Sequence, residues 1–554
     1  MRLLRLARLA FPLACALAGL VPPPPASAQT VTDPFTGAPA DALPDLPPIP
    51  APDGPVTFVV HPERRAQTLD GFGASDAWQF NIVGHDWPVP VREDLARVLF
   101  SRELSPDGSP IGAGLSIWRF YIGAGSAAQG AASGIRPDVP GEYHTRTESF
   151  LNPDGTYDWS RQAGQCWFLQ AAKRHGVEHF VAFGVSPPVH LTRTGTANNN
   201  HEPRANLQAD HFDDYARFFA EVMQHFRDRE GITFRDLSPV NEPQWRWSGG
   251  RQEGSPWTNA EIARLTRLLD TELRRRGLPT KIELSEAGDL RFVYQPGENH
   301  ASDQARAFFD RASPDYVGNL RNVSRTFAAH GYFSDGRPDE IIRVRRDLRA
   351  TLDQRKLDYA MTEYCLLRDG VGKTTRERPI PHIDSALHLA RLIHCDLVFA
   401  RARSWQFWTA LDLQKNPAGD LRYILVRRLT DRDGFEPTKL LWALGHFSRF
   451  VRPGYVRIET SRADELDEIT AAERELASAY LSPDGRELVV VAINWRPHAV
   501  PLRLTLANGR ALLVGRAYVT TAEVNTNLRR VSDFAGGAFE LAPRSIVTCV
   551  IPLR

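Results

Sequence analysis

Residues 234–243 read FRDLSPVNEP. A short strand-like run is stopped by prolines, and Asn241 and Glu242 stand just past its end. The same kind of segment recurs along the chain, in GLSIWRFYIG (114–123), HFVAFGVSPP (179–188), KIELSEAG (281–288), TFAAHGYF (326–333), LDYAMTEYC (357–365) and ARSWQFWTAL (402–411). Amphipathic stretches lie between these runs. One is DDYARFFAEVMQHFRD; another is NAEIARLTRLLDTELRRRG, which opens on Thr258 as a cap and stops at Gly277. Repeated strand–helix units imply parallel strands covered by helices. No glycine-rich dinucleotide turn follows the early strands, which weighs against an open doubly wound sheet. The expected fold class is therefore α/β, a (β/α)8 TIM barrel over residues 56–449 that includes an N-terminal strand. Arg119, Ser186, Asn241, Glu242, Glu286, His330, Glu363 and Trp408 all fall at strand C-terminal ends. In a barrel those ends share one mouth.

The pattern changes after residue 450. ELVVVAINW, VPLRLTLA, RALLVGRAYVTT and SIVTCVIPLR are short alternating strands. Residues 450–554 read as a side β-sandwich, which the strand near residue 58 (VTFVVHPE) would complete. At the other end, Arg2, Arg5 and Arg8 precede an apolar run from Ala10 to Val21 and a small-residue site at Ala26-Ser27-Ala28. This is an export signal over residues 1–28, cleaved after Ala28. The apolar run is too short to span a bilayer comfortably, and the residues before Cys15 fit a lipidation box poorly. Residues 29–55 are a Pro/Ala-rich linker. The protein is expected to be secreted or periplasmic, with no membrane association once the signal is removed.

The chain has 554 residues and a net charge of +1, which gives no signature of a nucleic-acid or membrane-surface binder. Its 12 Trp and 13 Tyr allow sugar stacking, although most Trp residues serve as core. Cys166, Cys365, Cys395 and Cys549 are spaced for neither a metal site nor a dense disulfide framework; one or two disulfides fit an oxidising compartment. No metal and no cofactor is implied, and the sequence carries no signal for an oligomeric state.

Glu363 in MTEYC is the natural partner for Glu242, since it too ends a strand. Two carboxyl groups across a barrel mouth can cleave a glycosidic bond, one protonating the leaving oxygen and the other attacking the anomeric carbon at roughly 5–5.5 Å separation. The donor must stay protonated through burial or a nearby negative charge. The nucleophile must stay ionised, and Arg119 is the candidate to hold it so. Asn241 could donate to a sugar hydroxyl.

Four segments in this order, LDGFGASDAWQF (69–80), SPVNEPQW (238–245), MTEYC (361–365) and GHFSRFVRPG (445–454), resemble glycoside hydrolase family 30. SPPVHLTRTG (186–195) and NEPQWRW with QEGSP resemble its endo-β-1,6-galactanase-like branch. The resemblance runs from about residue 56 to the C-terminus. It implies a retaining hydrolase with a barrel and a side β-domain, Glu242 as acid/base and Glu363 as nucleophile. It also implies Asp76 on sugar hydroxyls and Arg119 beside the nucleophile; Trp78, in the first segment, joins the substrate-binding candidates. The expected partner is a polysaccharide, with β-1,6-galactan-type side chains first. Glucuronoxylan, β-1,6-glucan and a non-catalytic carbohydrate-binding role are the alternatives. One departure is Pro188, where several family members carry a Trp, so the wall of the non-reducing-side subsite differs.

Other residues carry two readings. Tyr332 could bond the nucleophile and His330 could reach the sugar, or the two form a satisfied core pair. Trp408 is a floor for the cleaved sugar or a core residue, and Trp245 and Trp247 an aglycone platform or loop packing. Glu286 is expected to brace the mouth, and QEGSP (252–256) to shape the cleft. The loop 366–382 is expected to influence which polymer fits.

Overall fold

The computed structural model describes residues 54–136, 144–198, 202–367, 383–413, 424–429 and 432–553. The export signal, nearly all of the linker and most of the 366–382 loop lie outside these residues.

Strands β1 (Val56–Thr68), β2 (Gly71–Ser75), β3 (Ile117–Ile122), β4 (His179–Gly184), β5 (Asp236–Ser238), β6 (Lys281–Ala287), β7 (Val323–His330), β8 (Asp358–Glu363) and β9 (Ala402–Phe407) make the first half of the fold. From β2 to β9 they form a closed eight-stranded parallel barrel, β9 pairing back onto β2. Helices follow the strands and cover the outside. Asn259–Arg275 shows why such a segment is helical. Ile262, Leu265, Thr266, Leu269 and Leu273 recur at helical spacing and are buried. Thr258 and Glu261 make a reciprocal capping box, and Gly277, at φ +62°, follows the helix end. The barrel strands are buried on both faces, as covered parallel strands must be, so IWRFYI (117–122) can hold an arginine inside with no contact to water.

A small sheet joins β10 (Leu411–Leu413), β11 (Val426–Arg428) and β12 (Phe435–Pro437). The remaining strands are β13 (Val456–Arg462), β14 (Glu475–Leu481), β15 (Glu487–Asn494), β16 (Val500–Leu506), β17 (Gly515–Thr520), β18 (Arg529–Phe534), β19 (Ala538–Leu541) and β20 (Ser545–Pro552). With β1 they form one nine-stranded sheet, ordered β18-β17-β20-β15-β14-β13-β1-β16-β19. The expected side β-sandwich is thus built from a single sheet that rolls on itself. Its two edge strands, β18 and β19, are consecutive in the chain, and Phe534 and Phe539 meet across the roll with ring centres 5.0 Å apart. The N-terminal strand belongs to this sheet and not to the barrel, pairing antiparallel with β13 and parallel with β16.

Strict alternation in β15 and β20 builds two interfaces at once. Leu488, Val490, Ala492, Val547, Cys549 and Ile551 face the roll's own core. Val489, Val491, Ile493, Ile546 and Val550 join the barrel's core. The helix Lys439–Ser448 sits at this seam. His446 lies between Thr548 Oγ1 (2.8 Å) and Thr520 Oγ1 (2.9 Å), and Ser448 donates to the Ala113 carbonyl. Arg452, just beyond, bonds Glu178 and the Gly114 carbonyl. The GHFSRFVRPG segment is therefore a joint between barrel and sheet. Among the described residues Cys166, Cys365, Cys395 and Cys549 form no disulfide, so these hydrogen bonds, the Arg452–Glu178 pair and apolar packing secure that joint.

Burial pushes the His446 pKa down to about 3. Its folded value lies below the unfolded value of about 6.5, so the unfolded chain binds the extra proton. Stability is complete above that pH and falls as pH drops towards 3, by up to about 1.4 kcal/mol per pH unit for this one group. Urea midpoints measured from pH 7 to pH 4 should fall less steeply in His446→Asn than in wild type. Parallel curves would show that the joint does not titrate.

Candidate active site

The barrel mouth gathers three glutamates around an arginine and a histidine. Glu363 ends β8, and Glu242 sits on the loop after β5. One oxygen from each, together with a nitrogen of His330, lie within 4.8 Å of one another. Glu242 has φ +44°, a left-handed backbone that a non-glycine residue holds only when its surroundings force it. The forcing contacts are visible. The Glu242 amide donates to the Glu286 carbonyl (2.8 Å), and the Glu242 carbonyl accepts from the Trp245 amide and from Trp247 Nε1 (both 3.2 Å).

Arg119 is fully buried and bridges four barrel strands and the loop after β5. Nη1 donates to Glu363 Oε2 (2.7 Å) and Ser75 Oγ (3.1 Å), and Nη2 donates to Asn241 Oδ1 (3.2 Å). Glu286 Oε1 is 3.4 Å from Nη2, and the guanidinium lies 3.6 Å over the Phe183 ring. Asn241 spends its carbonyl on this arginine, which leaves its amide hydrogens for another partner. Tyr332 donates to the second oxygen of Glu363 (3.0 Å). Burial pushes the Tyr332 pKa well above that of an ordinary phenol, so it stays a donor.

Glu286 braces the mouth, as expected. It is fully buried, accepts from Ser238 Oγ (2.5 Å) and Thr362 Oγ1, and faces His330 Nε2 at 2.9 Å. Burial raises its pKa, but Arg119, His330 and the Ser238 hydroxyl outweigh that and hold it down to about 2. Glu242 is shifted the other way. Burial pushes its carboxyl up and Glu363 adds to the rise, against the opposing His330 contact. His330 does not face the mouth: it is fully buried, with Nδ1 2.8 Å from Glu242 Oε1. The expectation of a sugar contact fails there because both ring nitrogens are already engaged.

Glu242, His330 and Glu363 are close enough to share an ion. Their nearest atoms are instead spent on a Glu–His hydrogen bond and on donors from Arg119 and Tyr332, and a guanidinium 2.7 Å from Glu363 opposes a second cation. This donor set suits proton transfer.

The remaining candidates divide. Trp78 and Trp408 meet edge to face at 5.1 Å, next to Tyr121 and Phe183, and form an aromatic wall beside Arg119. Asp76 is fully buried; Oδ1 accepts from the Tyr121 amide (2.8 Å) and Gln165 (3.1 Å), while Oδ2 has no hydrogen-bond partner among the described residues. Burial pushes its carboxyl well above the usual range. Trp245 packs edge-on against Phe292 and Phe333 and only partly faces out. In the QEGSP segment, Glu253 accepts from Tyr121 Oη and from the Ala124 and Ser126 amides, tying the loop after β5 to the loop after β3. A surface cleft of about 760 Å³ in the loop after β4, lined by His190, Arg193, Gln208 and Asp210, holds no carboxylate pair. Sequence reasoning missed Phe183, Ser75 and Thr362, whose period-2 positions on barrel strands were the available signal.

The profile of O-glycosyl hydrolase family 30 matches residues 55–419. The chain belongs to this family. Its barrel mouth is thus that of a glycosidase. An endo-beta-1,6-galactanase from Hypocrea rufa is 27% identical over 458 residues, 79% of this chain and 81% of that protein. A conserved exported protein from Bacteroides fragilis is 32% identical and superposes with a TM-score of 0.81, covering 89% of this chain and 100% of the other. The catalytic domain of GH30 xylanase C from Talaromyces cellulolyticus shares the fold, at 22% identity and a TM-score of 0.62 over 89% and 99% of the two chains.

Tyr332→Phe removes one donor from Glu363 and no packing volume. A buried hydrogen bond to a charged group is worth about 1.5–3 kcal/mol to the fold, so the melting temperature should drop by a few degrees, and turnover should fall by about tenfold or more as Glu363 loses a positioned donor. A steady-state assay beside calorimetry checks both halves.

Proposed function

We propose that this glycosidase is an exported, retaining hydrolase that cleaves β-linked polysaccharide, with β-1,6-galactan-type side chains as substrate. The observation that carries the mechanism is the Glu242–Glu363 pair, with oxygens within 4.8 Å and unlike surroundings. A retaining reaction needs two carboxyls about 5–5.5 Å apart, one neutral and one charged. Glu363, between the donors of Arg119 and Tyr332, is the nucleophile. Glu242, whose pKa burial raises, is the acid. In the first step Glu242 gives its proton to the glycosidic oxygen while a Glu363 oxygen bonds to the anomeric carbon, and the leaving sugar departs with that proton. In the second, water attacks the same carbon, Glu242 takes the water's proton, and the Glu363 bond breaks. The Asn241 amide and Asp76 Oδ2 are the groups left for sugar hydroxyls, and Trp408 with Trp78 supplies the apolar wall.

The galactan reading rests on the Hypocrea rufa galactanase. Export rests on the Arg2-to-Ala28 leader and agrees with the exported Bacteroides fragilis protein. No helix among the described residues is long and apolar enough to cross a membrane.

The test is wild-type protein and Glu363→Ala on β-1,6-galactan, β-1,6-glucan and glucuronoxylan, with products sized and the anomeric proton followed by NMR. Galactan cleavage with retention, absent in the variant, is the expected result. Inversion would reject the nucleophile assignment, and cleavage of only another polymer would reject the substrate. Because the Glu242 pKa is raised, activity should persist above the ordinary carboxylate range and fall on the alkaline side as Glu242 loses its proton.

A further inference from the structure

His330 presents both ring nitrogens to carboxyl oxygens: Nδ1 lies 2.8 Å from Glu242 Oε1, and Nε2 lies 2.9 Å from Glu286 Oε2. The ring has no exposure to solvent. A neutral imidazole has one N–H and donates at only one of these contacts. With Glu286 an anion and Glu242 protonated, two proton arrangements satisfy both. In the first, a neutral ring donates from Nε2 to Glu286 and accepts at Nδ1 from a protonated Glu242. The Glu242 proton is then on Oε1, aimed at the ring and unavailable to a substrate. In the second, the ring is an imidazolium that donates twice, and the Glu242 proton sits on Oε2.

The surroundings select the second. Glu286 is an acceptor for Ser238 and Thr362 and faces Arg119 at 3.4 Å, so it is fixed as an anion. Around the ring stand Glu286 from β6, Glu242 from the loop after β5, and Glu363 from β8, whose Oε1 is 3.7 Å from Nδ1. The Tyr332 ring is 5.7 Å away, and Arg119 contacts Glu286 and Glu363 on their far sides. Burial opposes a charge on His330, but Glu363 and the Glu242 and Glu286 contacts outweigh it and raise the pKa; with Glu242 protonated, the Glu363 and Glu286 charges remain to hold it up.

We propose that His330 works as an imidazolium clamped between Glu286 and Glu242, and that this clamp places the Glu242 proton on Oε2, towards the leaving-group oxygen. His330 and Glu286 are positioning residues, and the inference rests on Glu242 being the acid. The clamp also prepares the next moment of the reaction. When Glu242 releases its proton, the new carboxylate already faces an N–H of a cation, so the developing charge is met without reorganisation. The ring keeps both of its protons throughout. Only Glu242 changes, giving its proton to the leaving sugar and regaining one from the attacking water.

The first experiment reads the clamp in wild-type protein, with a substitution used only to assign its signal. In full-length protein with ¹⁵N-labelled histidine, His330, assigned by its loss in His330→Gln, should show two protonated ring nitrogens from about pH 5 to about pH 8, across the range where a free histidine titrates. Glu286→Gln then removes the clamping charge. The ring should titrate inside that range, and the alkaline limb of kcat/KM should move acidward by about one pH unit or more. Cleavage of the polysaccharide, whose leaving group needs its proton, should fall by about 100-fold or more, against less than about tenfold for a dinitrophenyl glycoside of the product oligosaccharide. A singly protonated His330 ring in active wild-type enzyme overturns the clamp. So does a Glu286→Gln variant that loses both substrates equally with an unmoved pH profile. Wild-type polysaccharide activity in Glu242→Gln would overturn the acid assignment and the clamp with it. Loss of activity there beside a singly protonated ring overturns the clamp alone. If Glu286→Gln does not fold, the wild-type spectrum decides.

Discussion

A guanidinium without water governs the barrel mouth. Arg119 is wholly buried, and an isolated cation there would be prohibitively costly. Carboxylates must answer it, and Glu363 at 2.7 Å and Glu286 at 3.4 Å do so. Those two answers have different consequences. Glu363 gains a charge-assisted hydrogen bond from Arg119 and a second donor in Tyr332. Glu286 is shut away behind Ser238 and Thr362, and its charge is passed on to His330. The third glutamate, Glu242, stands next to this arrangement with its carboxyl raised by burial. One buried cation thus gives three chemically equal side chains three different surroundings.

The scaffold's share is to hold these groups without slack. Glu242 depends on a strained φ, fixed by backbone bonds to Glu286 and by the Trp247 indole. Glu253 ties the same loop to the loop after β3, so the acid and the arginine belong to one hydrogen-bonded unit. Further out, the rolled sheet clasps the barrel through His446, Ser448 and Arg452. That clasp lies in a segment as distinctive in sequence as the one carrying the acid, yet its work is mechanical. A distinctive motif reports a constraint without saying whether the constraint is chemical or structural.

Much of this was legible in advance. The strand end at Glu363, and Glu242 and Trp408 just past theirs, could be read from apolar runs stopped by proline, glycine or polar groups, because a parallel strand buried on both faces leaves that trace; Arg119, expected at a strand end, lies inside β3. Thr258 and Gly277 bracketed their helix through capping chemistry that acts within a few residues. What stayed hidden involves partners far apart in the chain. His330 lies 88 residues from Glu242 and 44 from Glu286. Periodicity marks it as inward-facing and says nothing of what it meets. The rolled sheet was hidden for a similar reason, since alternation shows that both faces of β15 are buried without showing that its edges meet.

The sequence by itself determined the element order, the barrel class, the paired glutamates and the residues at the strand ends, because local propensity and burial periodicity are written residue by residue. Only the tertiary structure decided which nitrogen of His330 faces which carboxyl, that Glu286 is a buried anion, and that Trp245 packs against Phe292 and Phe333. Those outcomes depend on barrel closure, which gathers eight strand ends round one mouth. Whether a carboxyl there is charged, neutral or bracing follows from its neighbours in space, and a chain sets those only once it has folded.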